Sequence, residues 1–275
     1  MIKRIKAKIE DIIYRKIIRN SLKLSKLGYG LIVVGAEAGS NFEHMYNNRP
    51  QGSFIVGKYF DKALLNLPAV KATRGRKEDV KKILWNEILN NKLKSRKTRV
   101  LDLASGAGRY LRELGEEHKN DDVESICIDK DKASVKLGRL LAEKEDLKNI
   151  RFFRSDIFRL AHLRDFSKKL LWSPNVIIAS GLFIYFNDDR VKKMLCEIYE
   201  VLPNEGIIIF SSYEKLNTRK LMRKTMATSD GKEWTLYYRT PEFWRCLLHE
   251  IGYKDIFILR DQWGMNNVCR ARKNL

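Results

Sequence analysis

Residues Val100 to Tyr110 read V-L-D-L-A-S-G-A-G-R-Y: a short apolar run closes on an acid, then breaks into a loop of small residues. So apolar a run suits a strand buried on both faces, the habit of parallel sheets, which bind ligands at their carboxyl ends. Gly106 and Gly108 permit backbone angles and close approach that a side chain would block. A ligand can therefore rest against the turn and the N-terminus of the helix that follows. The spacing excludes two cofactor classes that use such turns. The dinucleotide fingerprint G-x-G-x-x-G/A needs a small residue where Leu111 stands, and the phosphate loop G-x-x-x-x-G-K-[ST] is absent because Arg109 and Tyr110 follow Gly108. Nicotinamide, flavin and nucleoside triphosphate chemistry drop out at this loop.

Four more segments follow in order. S-I-C-I-D-K-D (residues 125–131) ends a second strand in Asp129, 21 residues after Gly108, and R-F-F-R-S-D-I (151–157) ends a third at Asp156. N-V-I-I-A-S-G-L-F-I-Y-F (175–186) is an apolar fourth strand running into a loop, and L-P-N-E-G-I-I-I-F (202–210) reads as a turn and fifth strand. Together with the glycine loop, these segments resemble the class I S-adenosylmethionine (SAM) dependent methyltransferases, whose first motif has the form acid-x-G-x-G-x-G. Asp102, Gly106 and Gly108 match that motif, and Ala104 stands where its first glycine would be.

The resemblance implies an α/β fold: a Rossmann-like, seven-stranded, mostly parallel sheet with the last strand antiparallel and helices on both faces. It implies SAM as cofactor, held by Asp102, Ala104, Ser105, Gly106 and Gly108, with Asp129 beside Lys130 accepting both ribose hydroxyls. Asp156 and Ile157 would lie near the adenine amino group, and Ser180 at the fourth strand's tip. A carboxylate suits the ribose because it only accepts hydrogen bonds and can take two hydroxyls at once. The residues alone leave another reading open: Asp129 and Asp156 as helix N-caps, with Asp131 an equally good cap.

At 275 residues the chain can bury one full core and carry an extension. The expected division is a basic, mainly helical N-terminal extension and lid over residues 1–98 and a methyltransferase domain over 99–275. Cys127, Cys196, Cys246 and Cys269 show no C-x-x-C spacing, so neither disulfides nor a metal site are expected, which fits a reducing cytoplasm. No secretory signal is visible. The longest apolar runs, 31–36 and 176–186, fall short of the about 20 residues that span a bilayer. The expectation is a cytoplasmic protein, soluble or peripheral to a membrane.

Charge is unevenly spread. Residues 1–98 hold 22 Lys and Arg against 8 Asp and Glu, whereas the remainder holds 32 against 26. Such a field favours lipid headgroups, nucleic acid or a phosphorylated small molecule, or it is a solvated lysine-rich surface. Residues 1–20 read as a helix with Ile2, Ile5, Ile9, Ile12 and Ile13 in one stripe and Lys3, Arg4, Lys8, Arg15 and Arg19 mostly elsewhere, although Lys16 interrupts the stripe. Residues 1–24 could lie on an anionic membrane, or this helix could pack on its own domain.

Residues 27–70 resemble the lid that methyltransferases build ahead of the common domain, with His44, Tyr46, Asn48 and Arg49 placed to close over the cofactor. A helix is predicted over 78–93 and another over 241–251, then strands near 256–259 and 268–271 with a turn at 262–267. M-Y-N-N-R-P-Q-G and W-T-L-Y-Y-R-T-P-E-F-W resemble the bacterial putative-methyltransferase family whose members are sometimes fused to an α/β-hydrolase.

Because the implied cofactor carries an already activated methyl group, orienting the acceptor is the protein's main task and no dedicated base is required. Acceptor-side residues are expected in 180–189 and 211–213, with Tyr185 as the catalytic candidate that walls or orients the site and Tyr213 and Tyr238 behind it; ordinary half-buried packing is the competing reading for each tyrosine. The tetrapeptide [DNS]-P-P-[YF] is replaced by Ser180, Gly181, Leu182 and Phe183, which disfavours adenine N6 and glutamine amides as acceptors. The expected activity is SAM-dependent methylation of a small-molecule or lipid-attached acceptor. An RNA acceptor and a non-catalytic SAM-binding protein are the alternatives. Oligomeric state stays open.

Overall fold

The computed structural model describes residues 13–118, 123–156, 172–214, 222 and 224–274. Contacts divide the chain into two compact units, Met1–Arg74 with Leu216–Thr235 and Gly75–Lys215 with Leu236–Leu275. This partition differs from a division at 98/99: the break falls at Arg74 and Gly75, and a later segment joins the N-terminal unit. The reason lies in Val80, Ile83, Leu84 and Ile88, which are buried in one cluster with the strands of the sheet.

The smaller unit is helical. Ile13–Ile18 forms a π-helical stretch that continues as Arg19–Leu22; of the helix expected over 1–20, the residues before Ile13 lie outside those described. Lys26–Tyr29 runs into a second π-helical stretch, Gly30–Gly35. Helix α1 (Gly39–Asn47) ends on Asn48 in the left-handed conformation, and α2 (Phe54–Leu65) follows. Leu27, Leu31, Ile32, Met45 and Leu65 are buried, and Ala227 ties in the returning segment by donating to the Leu31 carbonyl and accepting from the Ala36 amide.

In the larger unit, β1 (Thr98–Leu103), β2 (Val123–Asp129), β3 (Ile150–Arg154), β4 (Val176–Ala179), β5 (Ile207–Tyr213), β6 (Tyr253–Arg260) and β7 (Asn266–Lys273) form one seven-stranded sheet in the order β3-β2-β1-β4-β5-β7-β6. The first five strands pair in parallel, and β7 is antiparallel to both neighbours. Strand order reverses between β1 and β4, where open α/β sheets bind ligands.

Alternate residues face opposite sides of a strand, and both sides here are covered. Leu101, Leu103, Ile177, Ala179, Ile208 and Phe210 share a core with Val191, Leu195 and Ile198 of α6 (Asp188–Val201) and Trp244, Leu247 and Leu248 of α7 (Pro241–Ile251). The opposite face, with Val100, Val176, Ile178, Ile207 and Ile209, packs with α3 (Pro68–Leu93), α4 (Arg109–His118) and α5 (Lys132–Lys144). The sheet is therefore the mostly parallel, Rossmann-like one expected. Helix α3 begins ten residues before the predicted Glu78, α7 spans the predicted residues, and the C-terminal hairpin strands are each longer than predicted.

Candidate functional site

Strand β1 brings Asp102 to its tip in register with Cys127 of β2 and Ile178 of β4. The Asp102 side chain is fully buried, and that burial, opposed by the Tyr110 hydroxyl, pushes its carboxyl well above the ordinary range. Beyond it the chain turns through Ala104, Gly106 and Gly108, all with positive φ of 56°, 56° and 67°. Ser105 anchors the turn by donating its amide to the Ile128 carbonyl at 3.1 Å, and its own carbonyl accepts the Gly108 amide. Gly108 has a packing reason as well. A Cβ there would come within 2.9 Å of the Phe152 ring and 3.1 Å of Cys127 Sγ.

Asp129 stands across this turn at the end of β2. Its Oδ2 accepts the Gly106 amide and its Oδ1 the Asp131 amide, both at 2.8 Å. Among the described residues each oxygen thus keeps a lone pair, and Asp129 is half-buried. Burial raises its carboxyl above the usual aspartate value, against the pull of the two amides. Asp131 is the cap of α5, accepting from the Ala133 and Ser134 amides, and its carboxyl is lowered because these bonds and the Ser134 hydroxyl outweigh burial. Between the two acids, the structure assigns the cap to Asp131.

Lys130 is exposed and its carbonyl accepts from Arg154 Nε. β3 stops at Arg154, so Asp156 lies two residues past the strand and is exposed; Ile157 lies outside the described residues.

β4 ends at Ala179, and the predicted apolar continuation is a turn followed by a 3-10 helix, Phe183–Tyr185. Ser180 Oγ lies 3.3 Å from Ser211 Oγ, which accepts the Gly181 amide at 2.7 Å. β5 runs three residues past the predicted strand end, through Ser211 and Tyr213, and pairs them with Val268 and Asn266. Tyr185 is half-buried against the core, and Tyr213 stacks on Tyr238 at 6.5 Å.

Two arginines escaped sequence analysis. Buried Arg239 donates to the Phe183 and Phe186 carbonyls and to Asp188, and lies over Phe243 and Trp244, so it pins both ends of the turn that carries Tyr185. Its motif, W-T-L-Y-Y-R-T-P-E-F-W, was visible but gave no hint of this role. Buried Arg76 covers Gly181, whose Cβ would fall 3.1 Å from Nη1.

His44 sits within the smaller unit, its Nε2 2.7 Å from Asp61 Oδ2. Asp61, fully buried, also takes the Ser25 hydroxyl at 2.6 Å and the Leu27 and Gln51 amides at 2.8 Å. Burial alone would raise this carboxyl, but the His44 and Ser25 bonds and the two amides outweigh it and hold it below the usual value. Tyr46 is half-buried, and Asn48 and Arg49 are exposed.

The groups at the β1 and β2 tips fit an adenosyl group: among the described residues, an acceptor-only carboxylate with a spare lone pair on each oxygen faces a glycine turn that a ligand can approach closely.

Residues 4–273 match the family described as "Putative methyltransferase". Over 270 residues, 95% of this chain and 45% of the relative, the sequence is 26% identical to the uncharacterized protein YnbC of Escherichia coli. Over 183 residues, 66% of each, it is 27% identical to the carboxy-S-adenosyl-L-methionine synthase of Nautilia profundicola. The chain thus spans about half to two thirds of these relatives' lengths. Among solved structures, a "possible exported protein" of Bordetella parapertussis superposes with a TM-score of 0.73 at 20% identity, covering 93% of this chain and 86% of that one. Magnesium protoporphyrin IX methyltransferase of Synechocystis, with S-adenosylhomocysteine bound, gives 0.58 at 13% identity, over 86% and 94%. The sheet order, the acid-and-glycine turn and a family match along nearly the whole chain lead to one assignment: this chain belongs to the putative methyltransferase family and has the fold of class I SAM-dependent methyltransferases.

Proposed function

We propose that the chain transfers a methyl group from SAM to a small-molecule or lipid-attached acceptor. The observation that carries this reading is Asp129, whose oxygens each hold one backbone amide and keep one lone pair for a vicinal diol. SAM supplies a methyl group already activated on a sulfonium. The chain's own work is then placement. Asp129 accepts the ribose hydroxyls and fixes the Gly106 turn in the same gesture, so nucleoside binding and loop geometry are set by one carboxylate. Ser211 holds the Gly181 amide and thereby the path of the chain past Ser180, and Arg239 holds the turn bearing Tyr185, the residue proposed to wall or orient the acceptor. Orientation of this kind supplies roughly 7 to 11 kcal/mol in favourable reactions.

The test is transfer of a radiolabelled methyl group from SAM to lipid, RNA, protein and small-molecule fractions of a cell extract. Label in the lipid or small-molecule fraction, lost in Asp129→Ala, is expected. Label in RNA alone would overturn the acceptor class. Conversion of SAM itself with no labelled acceptor would favour chemistry like that named for the Nautilia profundicola relative.

A further inference from the structure

Helix α2 is inside out. Its inward residues are Gly57, Asp61 and Leu65, while Phe54, Ile55, Val56 and Tyr59 are 87%, 74%, 56% and 70% exposed. Apolar side chains scattered singly on a surface need no explanation, but a run of this density within six residues of one helix does. Leu24 is exposed as well and lies at the same end, because the Ser53 amide donates to the Leu24 carbonyl and Ser25 bridges to Gly52.

The helix is held in this orientation from behind. Asp61 clamps it to Ser25, Leu27, His44 and Gln51, and Gly57 packs so closely that a Cβ would stand 2.3 Å from the Leu24 carbonyl oxygen. Phe54, the most exposed of the set, has a φ of +56°, a conformation bulky residues rarely adopt.

Charge on the same stretch selects the partner. Between Ile13 and Leu67 the acids are Glu37, Glu43 and Asp61; Glu43 and Asp61 are buried, and Glu37 is half-buried and bonded to Ser229. Lys16, Lys23, Lys26, Arg49, Lys58 and Lys62 are all exposed. Residues 13–67 therefore combine exposed aromatic and aliphatic side chains with positive charge and present no exposed acid. This combination suits the interface of an anionic bilayer, where apolar groups enter the headgroup region and lysines meet lipid phosphates. Among the described residues no helix is long and apolar enough to cross a membrane, so contact would be with one leaflet.

We propose that the Phe54–Tyr59 turn of α2, with its flanking lysines, is a docking surface for an anionic phospholipid membrane. It needs no cofactor, and so stands or falls separately from the methyltransferase reading.

The full chain is sedimented with phosphatidylcholine vesicles with and without phosphatidylserine, beside the variants Phe54→Ser/Ile55→Ser and Lys58→Gln/Lys62→Gln. These side chains face solvent, and matched thermal unfolding checks that the fold is kept. Expected are binding that requires phosphatidylserine and weakens with salt, and a bound fraction at least tenfold lower in the Phe54→Ser/Ile55→Ser variant. Failure of the unaltered chain to bind, or equal binding by that variant, overturns the proposal. So does a concentration-dependent dimer in light scattering that the same variant disperses, since the surface would then serve a second copy of the chain.

Discussion

The two units use carboxylates in opposite ways. In the smaller unit Asp61 spends both oxygens on four partners and is sealed from solvent. In the larger unit Asp129 holds two amides among the described residues, one on each oxygen, and remains half-buried at a strand tip. Their acidities diverge accordingly, lowered for Asp61 where hydrogen bonds win and raised for Asp129 where burial wins. A saturated carboxylate is a structural post; one with unused acceptors at a strand tip has something left to offer a ligand.

The contrast breaks if Asp61 proves dispensable. Asp61→Ala leaves the Leu27 and Gln51 amides without their acceptor and should cost about 4 kcal/mol of stability, measured by chemical denaturation. A loss under about 1 kcal/mol would remove the structural reading. Arg239→Ala comes next, at about 3 kcal/mol, because the Phe183 and Phe186 carbonyls lose a charged donor. Arg239→Lys should recover little of it, since an ammonium cannot reproduce the planar fork. Full recovery in the lysine variant would mean that charge alone matters there.

How much of this was legible in sequence follows the same division. Asp102, Gly106, Gly108 and Asp129 could be read because a buried strand ending in an acid and glycines is a local pattern, and so could α7, with Thr240 capping it and Pro241 opening it. The Asp131 cap was one of two readings that only hydrogen bonds could separate. The Asp61 hub was illegible, because its partners at 25, 27, 44 and 51 meet only after folding. The outward apolar face of α2 was equally hidden: periodicity locates a stripe but assumes that the apolar side is the inner one.

A smaller effect sharpens the account of the turn. Ala104 has a φ of +56°, which penalises a Cβ by about 1 kcal/mol, so Ala104→Gly should leave thermal stability equal or up to about 1 kcal/mol higher. A clear loss would show that the methyl group packs usefully. Smallest is a pH effect. As acid is added, the raised Asp129 carboxyl takes up its proton above the ordinary 3.8, so affinity for SAM should fall as pH drops through that raised value, and Asp129→Asn should abolish the step. Asp61 behaves oppositely. Its stabilisation is complete above the unfolded value of 3.8 and is lost as pH falls from there through the lower folded value. Unfolding that begins above 3.8 and vanishes in Asp61→Asn would contradict that order.

The most direct measurement is calorimetric titration of SAM into the unaltered chain and into Asp129→Ala. The account predicts binding by the former, weakened by about 1.5 to 3 kcal/mol in the variant, roughly 10- to 150-fold in Kd. Absence of binding by the unaltered chain, or equal affinity in both, would contradict it.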